Sequence, residues 1–331
     1  LLRGAADTTF IPVGGRSHPV PADVRYVITL DADTRLPREA AQRLVGKIAH
    51  PLNRPRLDAR SGRVVEGYAV LQPRVTPSLP TGREGSIFQR VFSGHGGIDP
   101  YAFAVSDVYQ DLFGEGSYSG KGIYDVDAFE AALAGRIPEN TLLSHDLLEG
   151  VFARAGLVSD IEVVEEFPSS YDVAAMRQHR WARGDWQLLP WIFGRGRDAS
   201  GDRRRAEIPW LGRWKMLDNL RRTLMAPAAL LTLFASFLLP GAPAGLLGAW
   251  VLATLALPAL LPLPAGILPQ RPGISKRSHL RSLATDIASA LSQIAFRLAF
   301  LAHQAWLMAD AVVRTLVRLL VTHRKMLEWV T

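Results

Sequence analysis

The stretch YVITLDADTRL, residues 26–36, runs from apolar β-branched and aromatic residues directly into two aspartates. Residues 24–30 contain no turn residue, which predicts a strand. Because the apolar run is continuous rather than alternating, it indicates a buried strand of a mostly parallel sheet. Asp31 and Asp33 follow the carboxyl end of this strand, where ligands bind in open α/β sheets. The stretch therefore predicts an α/β fold with a polar site at a strand end.

Asp31 and Asp33 are open to two interpretations. Side chains two apart on a strand share a side, so both carboxylates can bind one hard divalent cation such as magnesium. Alternatively, Asp33 or Thr34 caps a helix that begins near Pro37. A phosphotransferase of the aspartyl-phosphate type also begins with strand-Asp-x-Asp, but it would have Thr or Val in place of Arg35. The residues alone leave the metal site and the helix cap open.

A second polar stretch, FGEGSYSGKGIYDV, occupies residues 113–126 and contains four glycines. Glycine lets the backbone approach a ligand closely, and Glu115, Ser117 and Lys121 offer hydrogen bonds. The Gly-Lys-Gly sequence lacks the Ser or Thr that follows lysine in a phosphate-binding P-loop. The stretch is either a ligand-binding loop or a tight turn between two strands, and its polar content favours the loop.

Two predicted helices carry charged residues in positions that suit catalysis. Residues 141–152, TLLSHDLLEGVF, predict a helix capped by Ser144, with Asp146 in its first turn. Asp146 either compensates the helix dipole, which the residues alone favour, or acts as a general base. Residues 176–193, MRQHRWARGDWQLLPWIF, combine arginines that bind phosphate oxygens with tryptophans that stack on sugars or bases. A membrane-interface helix has a similar composition.

The C-terminal half contains long uncharged stretches. Residues 223–239 lack a charged side chain across 17 positions, and residues 244–268 form a second such stretch, so a transmembrane hairpin is predicted over 222–269. Basic residues flank the hairpin on both outer sides, which predicts that the N-terminal half, residues 1–221, faces the cytoplasm. Residues 270–331 predict membrane-associated helices, one candidate span over 283–313 and a basic interfacial helix, with a soluble bundle as the alternative.

Composition narrows the function further. The 331 residues are 48% hydrophobic, which is enough for a large core, and carry a formal charge of +7. The absence of cysteine excludes a disulfide framework, a thiolate metal site and a cysteine nucleophile. The cations cluster beside uncharged stretches, which indicates anionic lipid rather than nucleic acid as the partner. The first residue is Leu1 and no signal peptide follows, so we expect a piece of a longer parent chain.

In order, DADTRLP, FGEGSYSGKGIYDV, SHDLLEG and QHRWARGDWQ resemble the glycosyltransferase domain of cyclic β-1,2-glucan synthases. These enzymes are related to processive inverting glycosyltransferases such as cellulose synthase. The resemblance covers residues 26–191 and, in layout only, the apolar region that follows. It implies a GT-A type glycosyltransferase domain, incomplete at its N-terminus, followed by membrane α-helices. It also implies UDP-glucose as donor, a glucan acceptor, Mg²⁺ or Mn²⁺, and a multi-pass location in the inner membrane.

The resemblance assigns roles to the residues around the donor. It implies that Asp31 and Asp33 bind the metal and the diphosphate, and that Asp146 is the base that deprotonates the acceptor hydroxyl. Arg180 would contact the donor diphosphate, and Trp181 would stack beneath the acceptor sugar.

Other residues match the family less closely. Arg180 and Trp181 end a Gln-x-x-Arg-Trp motif, but its first position is occupied by Arg177, with Gln178 one place later. The resemblance also places residues 115–119 of the glycine-rich stretch at the acceptor end, among them Glu115, Gly116 and Ser117.

Two other functions fit the same motifs. One is another processive synthase of the cellulose, chitin or hyaluronan type, and the other is a non-catalytic membrane scaffold in glycan export. The uridine-binding strand of the family would precede residue 1. We therefore expect the isolated chain to have little or no activity.

Overall fold

The computed structural model describes residues 2, 21, 23–78, 85–93, 107–138, 141–196, 208–241, 243–267 and 275–328. Its strands are β1 (Tyr26–Thr29), β2 (Thr34–Arg35), β3 (Arg56–Leu57), β4 (Val64–Glu66), β5 (Val70–Pro77), β6 (Gly122–Asp125) and β7 (Ala155–Glu165). Its helices are α1 (Ala40–Ile48), α2 (Ile87–Phe92), α3 (Val108–Phe113), α4 (Val126–Leu133), α5 (Asp146–Ala153), α6 (Tyr171–Gln187), α7 (Leu189–Ile192), α8 (Trp210–Leu238), α9 (Ala244–Leu260), α10 (Leu263–Ile267), α11 (Lys276–Ala299) and α12 (Leu301–Val317). A short π-helical turn (Arg318–Thr322) follows α12.

The central sheet has five strands in the order β1-β6-β5-β7-β2. Only the β5–β7 pair among them is parallel, and the other pairs are antiparallel. The α/β class is confirmed, but the expectation of a mostly parallel sheet with a buried first strand is wrong. In the described sheet, β1 lies at an edge and all four of its residues are half-buried. Tyr26 and Ile28 pack against the core beneath α1. The Thr29 and Tyr118 hydroxyls form a hydrogen bond of 3.0 Å.

The main core lies between the sheet, α4, α5 and the first half of α8. Phe152 and Leu148 of α5 pack with Val70 of β5 and with Met216 and Leu220 of α8. The first half of α8 therefore packs with the α/β unit. The domain boundary predicted at 221/222 lies within this helix. Helix α12 packs against both α6 and α8. The helices of residues 270–331 thus contact the sheet-bearing half rather than standing apart from it.

Several predicted elements have different limits in the structure. The sequence of residues 64–72 predicts one strand, but the structure interrupts it at Gly67, where φ is +63° and a side chain would collide with the Arg54 carbonyl. Residues 108–113 form α3, so the glycine-rich residues 114–121 are a loop between a helix and β6 rather than a turn between two strands. The sequence also predicts loops over residues 1–23 and 73–100, with a helix over 87–92. Residues 73–77 belong instead to β5, the helix over 87–92 is α2, and most of the other positions lie outside the described residues.

The transmembrane hairpin predicted over 222–269 is present as a helical hairpin. The apolar half of α8 follows Arg221 and Arg222 in the same helix, and α9 has 17 residues, whereas a span needs about 20. The candidate span over 283–313 is divided at Phe300 between α11 and α12. Throughout the described ranges, no helix has the combination of length and hydropathy that crossing a bilayer requires.

Gly122, at the start of β6, should be the least replaceable glycine of the sheet. Its φ is +147°, and a Cβ there would lie 2.1 Å from the Leu71 carbonyl oxygen of the neighbouring strand. We expect Gly122→Ala to lower the free energy of unfolding by about 1–3 kcal/mol, because backbone rather than a flexible side chain must move. Gly46→Ala is the matched control, since α1 leaves open space there and alanine favours helix. Urea unfolding curves that are equal for the two variants would contradict this prediction.

Candidate active site

Charged residues from four elements meet where β1 and β7 end. The Lys121 ammonium, just before β6, lies 2.9 Å from Asp31 Oδ2 and 3.2 Å from Glu165 Oε2. Arg177 of α6 pairs with the same Glu165 carboxylate, and its Nη1 lies 4.0 Å from Asp33 Oδ2. Lys121 and Glu165 are buried, whereas Asp31 is exposed and Asp33 is half-buried. The result is a network of two cations and three carboxylates with its acidic, solvent-facing side formed by the two aspartates.

The helix-cap interpretation of the aspartates is wrong. Helix α1 begins at Ala40 and its N-cap is Glu39, which makes no side-chain cap hydrogen bond. Oxygens of Asp31, Asp33 and Glu165 lie within 4.8 Å of one another. Carboxylate oxygens are the ligands that Mg²⁺ and Mn²⁺ prefer. Because Glu165 is buried between Lys121 and Arg177, whereas Asp31 and Asp33 are open to solvent, the two aspartates are the pair that fits a divalent cation here.

Asp146 is the first residue of α5 and lies deep in the site. A side-chain carbon built on Gly120 would stand 3.2 Å from Asp146 Oδ2, so the glycine, at φ +83°, lets the loop pass directly over the carboxylate. The Ser144 hydroxyl donates to the same oxygen at 3.4 Å. Burial, followed by the charge of Glu149, raises the pKa of Asp146 above the usual aspartate value. A carboxylate with a raised pKa is suited to accepting a proton from a ligand.

The start of α5 differs from the predicted cap. The N-cap residue is His145, without a side-chain cap hydrogen bond, and Ser144 instead contacts the Asp146 carboxylate. His145 Nδ1 lies 2.7 Å from Glu149 Oε1, and this hydrogen bond raises the pKa of His145. The pair stands beside Asp146, and the three side chains could together approach one ion. Their mutual contacts account for His145 and Glu149 without one.

A cavity of about 730 Å³ joins most of the predicted site residues. Asp31, Lys121 and Glu165 line it on the sheet side, and Asp146 lines it from α5. Helix α6 contributes four residues of the Arg-Trp motif, namely Arg177, Gln178, Arg180 and Trp181. Asp33 borders the charged network but is not among the residues lining the cavity. The Arg177 guanidinium stacks on the Trp181 ring, 4.7 Å from its centroid, which orients the indole.

The structure does not bring Glu115, Gly116 or Ser117 to this cavity. Two arginines hold the Glu115 carboxylate away from it: Arg63 pairs with Oε2, and Arg154 Nε lies 3.7 Å from Oε1. Gly116 packs against the backbone of residues 156–157. The next residues of the loop, 118–121, line the cavity instead. Of the residues expected at the acceptor end, 115–119, Tyr118 and Ser119 therefore line the cavity and the first three do not.

Lys215 of α8 holds this loop by hydrogen bonds to its backbone. Its ammonium is buried and donates to the carbonyl oxygens of Glu115 at 3.0 Å and Gly116 at 2.7 Å. Burial lowers the pKa of Lys215 to about 8. The contact ties the loop over Asp146 to the same helix that continues into the apolar hairpin.

Sequence reasoning missed Glu165 and Lys215 as site residues and identified Lys121 only as a hydrogen-bonding residue of the glycine-rich stretch. Glu165 ends the long strand β7, and a charged residue at a strand end was the signal that had drawn attention to Asp31. Lys121 stands out as a lysine between two glycines. Lys215 has no such signal, because it is one of many basic residues along α8.

The fold and the site define an α/β protein with a partly open cavity lined by three cations, Lys121, Arg177 and Arg180, and by the Asp146 carboxylate, whose pKa is raised. No protein-family model matches the chain. In an alignment of 332 positions that covers the whole chain, it is 52% identical to cyclic beta-(1,2)-glucan synthase NdvB of Rhizobium meliloti (strain 1021). The chain spans 11% of the length of that curated relative. The resemblance inferred from the motifs is confirmed: the chain is related to a segment of a cyclic β-glucan synthase.

Proposed function

We propose that this chain is the glucosyl-transferring segment of a membrane-associated cyclic β-1,2-glucan synthase. It would take glucose from UDP-glucose and add it, with inversion, to a growing glucan. The observation that carries the proposal is Asp146, a half-buried carboxylate with a raised pKa that shares one cavity with Arg180 and Trp181. The 52% sequence identity between the chain and a segment of a cyclic β-1,2-glucan synthase supports the same reaction.

Asp146 acts as the general base in this proposal. Its carboxylate accepts the proton of the acceptor hydroxyl as that oxygen forms a bond to the anomeric carbon. The bond from this carbon to the diphosphate breaks on the opposite face, and the electron pair leaves with the diphosphate. Negative charge develops on the leaving group, so preorganised cations near it lower the barrier.

Arg180, Lys121 and Arg177 are the cavity-lining cations that can meet the developing charge. A Mg²⁺ or Mn²⁺ ion bound by Asp31 and Asp33 would add further charge neutralisation. Trp181, oriented by Arg177, offers a flat face on which the acceptor sugar can stack.

The proposal is tested with the full-length enzyme and UDP-[¹⁴C]glucose in the presence of Mg²⁺ or Mn²⁺. We expect a β-1,2-linked product on linkage analysis. A different linkage would support a cellulose-, chitin- or hyaluronan-type synthase. Absence of any UDP-glucose binding would leave the non-catalytic scaffold as the better account.

Replacing the aspartates tests the metal site. We expect Asp31→Asn and Asp33→Asn in the full-length enzyme to weaken metal-dependent UDP-glucose binding by at least about 10-fold, because each removes one anionic ligand. Asp160→Asn is the control, since this exposed carboxylate pairs with Lys47 outside the cavity. Calorimetric titrations with and without Mn²⁺ measure the effect. Equal Mn²⁺ dependence in wild type and both site variants would remove the aspartates from the metal site.

We also propose that the hairpin of α8 and α9 associates with the cytoplasmic face of the inner membrane. Large apolar side chains there are exposed, including Phe234, Phe237 and Trp250. Replacing all three with serine should reduce binding to vesicles of phosphatidylethanolamine and phosphatidylglycerol by on the order of 10-fold or more. Ile87→Ser, at an equally exposed apolar residue on α2, should change little. Vesicle flotation measures both, and undiminished binding of the triple variant would refute the proposal.

A further inference from the structure

The cavity extends beyond the proposed catalytic residues into the space between α6 and α8. Asp185 of α6 and Asn219 and Arg222 of α8 line this part of it. Asn219 Nδ2 donates to Asp185 Oδ1 at 2.8 Å, and Arg222 donates to Asn219 Oδ1. The three side chains form one hydrogen-bonded series along the cavity wall.

The bond from Arg222 fixes how the Asn219 amide is oriented. Because Oδ1 accepts from the guanidinium, Nδ2 must face Asp185, and one of its two N–H groups remains for a ligand. Arg222 is itself held by Asp218 at 3.4 Å. Asp185 uses one lone pair of a carboxylate that has about four acceptor positions. The series therefore presents a fixed donor beside a fixed acceptor.

Asp185 is costly to maintain at this depth. Burial raises its pKa to about 6, and the Asn219 hydrogen bond opposes this shift only in part. A tie between α6 and α8 does not need an acid, because the Trp186 indole already donates to Thr223 at 2.9 Å between the same helices. An ionisable group that lines a cavity, has a strongly shifted pKa and is not needed to hold the two helices together is typical of a binding site.

The spacing along α6 relates Asp185 to the stacking residue. Trp181 and Asp185 are four residues apart in one helix, so they lie on the same face one turn apart. Both line the cavity. An aromatic face followed by a paired donor and acceptor suits a chain of sugar units, since each sugar has an apolar face and hydroxyls that donate and accept.

We propose that Asp185, Asn219 and Arg222 form a carbohydrate subsite that binds hydroxyls of the acceptor glucan, one unit beyond the sugar stacked on Trp181. The assignment rests on the proposed glucosyl transfer and adds a specificity element to it. Asp185 is the hydroxyl acceptor, Asn219 the donor, and Arg222 positions the amide.

The test compares acceptor length in the full-length enzyme. We measure KM for glucose, which occupies only the Trp181 position, and for a β-1,2-linked gluco-oligosaccharide of five units, together with the Kd of UDP-glucose. Asp185→Asn retains the shape but replaces one acceptor oxygen with a donor. We expect its KM for the longer acceptor to rise about 10-fold or more, the glucose KM to stay within about 2-fold because one sugar unit does not reach Asp185, and UDP-glucose affinity to be unchanged.

Controls separate this subsite from a structural role and from the proposed function. Asp172→Asn, at an exposed position in the first turn of the same helix, should match wild type. If Asp185→Asn does not fold, Asn219→Ser carries the same comparison. Equal losses of kcat with both acceptors, or an unchanged length dependence, would overturn the subsite alone. Failure of the wild-type enzyme to bind UDP-glucose would instead overturn the proposed function.

Discussion

Asp146→Asn in the full-length enzyme is expected to lower glucosyl transfer by about 100- to 10,000-fold, the usual contribution of a general base. Asparagine keeps the size and the Ser144 contact but cannot accept the hydroxyl proton. Donor binding should survive, because the diphosphate is assigned to Arg180 and the strand-end aspartates rather than to α5. Transfer assays and UDP-glucose titrations on the same preparation therefore separate chemistry from binding. Transfer at the wild-type rate would exclude Asp146 as the base.

The pH dependence of activity in the wild-type enzyme is a second, independent test of Asp146 as the base. The base acts in its deprotonated form, and burial raises the pKa of Asp146. Activity should therefore fall, as the pH is lowered, at a higher pH than an ordinary aspartate would produce. In Asp146→Asn, the residual activity should lose this acid limb. A limb that is identical in the variant would assign the titration to another group.

The positions of Asp31 and Asp146 could be predicted from local sequence. A carboxylate after an apolar run marks a strand end, and Asp146 follows a loop and begins a helix with a clear apolar face. Both inferences need only residues within a few positions of the aspartate. The structure places the two in one cavity, as the motif order suggested.

The surroundings of these residues could not be predicted in the same way. Lys121 precedes β6 and Glu165 ends β7, and the two side chains meet because these strands lie on either side of β5. Strand order depends on contacts between residues that are distant in sequence. Glu115 seemed suited to an acceptor, yet Arg63 and Arg154, distant along the chain, hold its carboxylate away from the cavity. Local patterns identify ionisable groups near strand and helix ends. Their partners depend on which elements become neighbours.

The apolar C-terminal half shows a different limit. An uncharged stretch of sequence does not say where its helix begins, and α8 begins at Trp210, well before the uncharged stretch, so that Met216 and Leu220 pack in the core of the α/β unit. Its basic first half packs against α5 and holds the glycine-rich loop through Lys215. Hydropathy identifies only the uncharged second half of α8, and for this reason the sequence predicts a domain boundary in the middle of the helix.

Glu165→Gln is expected to have the largest effect on stability, about 3–5 kcal/mol in the free energy of unfolding. The Glu165 side chain is 7% exposed and neutralises both Lys121, which is also 7% exposed, and Arg177. Without its charge, Lys121 remains buried with only the half-exposed Asp31 carboxylate as an anionic partner at contact distance. Leaving a buried cation poorly compensated costs far more than the intact pair contributes.

Glu162→Gln is a matched control on the same strand. Glu162 pairs with Arg74 at 2.7 Å, but its side chain is 45% exposed, so its loss should cost about 0–1 kcal/mol. Urea unfolding of the two variants measures the difference. Equal costs would mean that the Glu165 pair is no better shielded from solvent than a surface ion pair.

The double variant Lys121→Met/Glu165→Gln decides whether the cost comes from lost attraction or from a stranded charge. Burial alone would lower the pKa of Lys121, but Glu165 and Asp31 together raise it above the usual lysine value. The stabilisation that this shift represents is present below the unfolded lysine pKa and is lost as the pH rises through the folded one. With Glu165 neutral, the ammonium keeps its desolvation cost and loses most of the compensation. Removing both charges should therefore restore part of the stability that Glu165→Gln alone removes, and a double variant less stable than either single variant would show that direct attraction dominates instead.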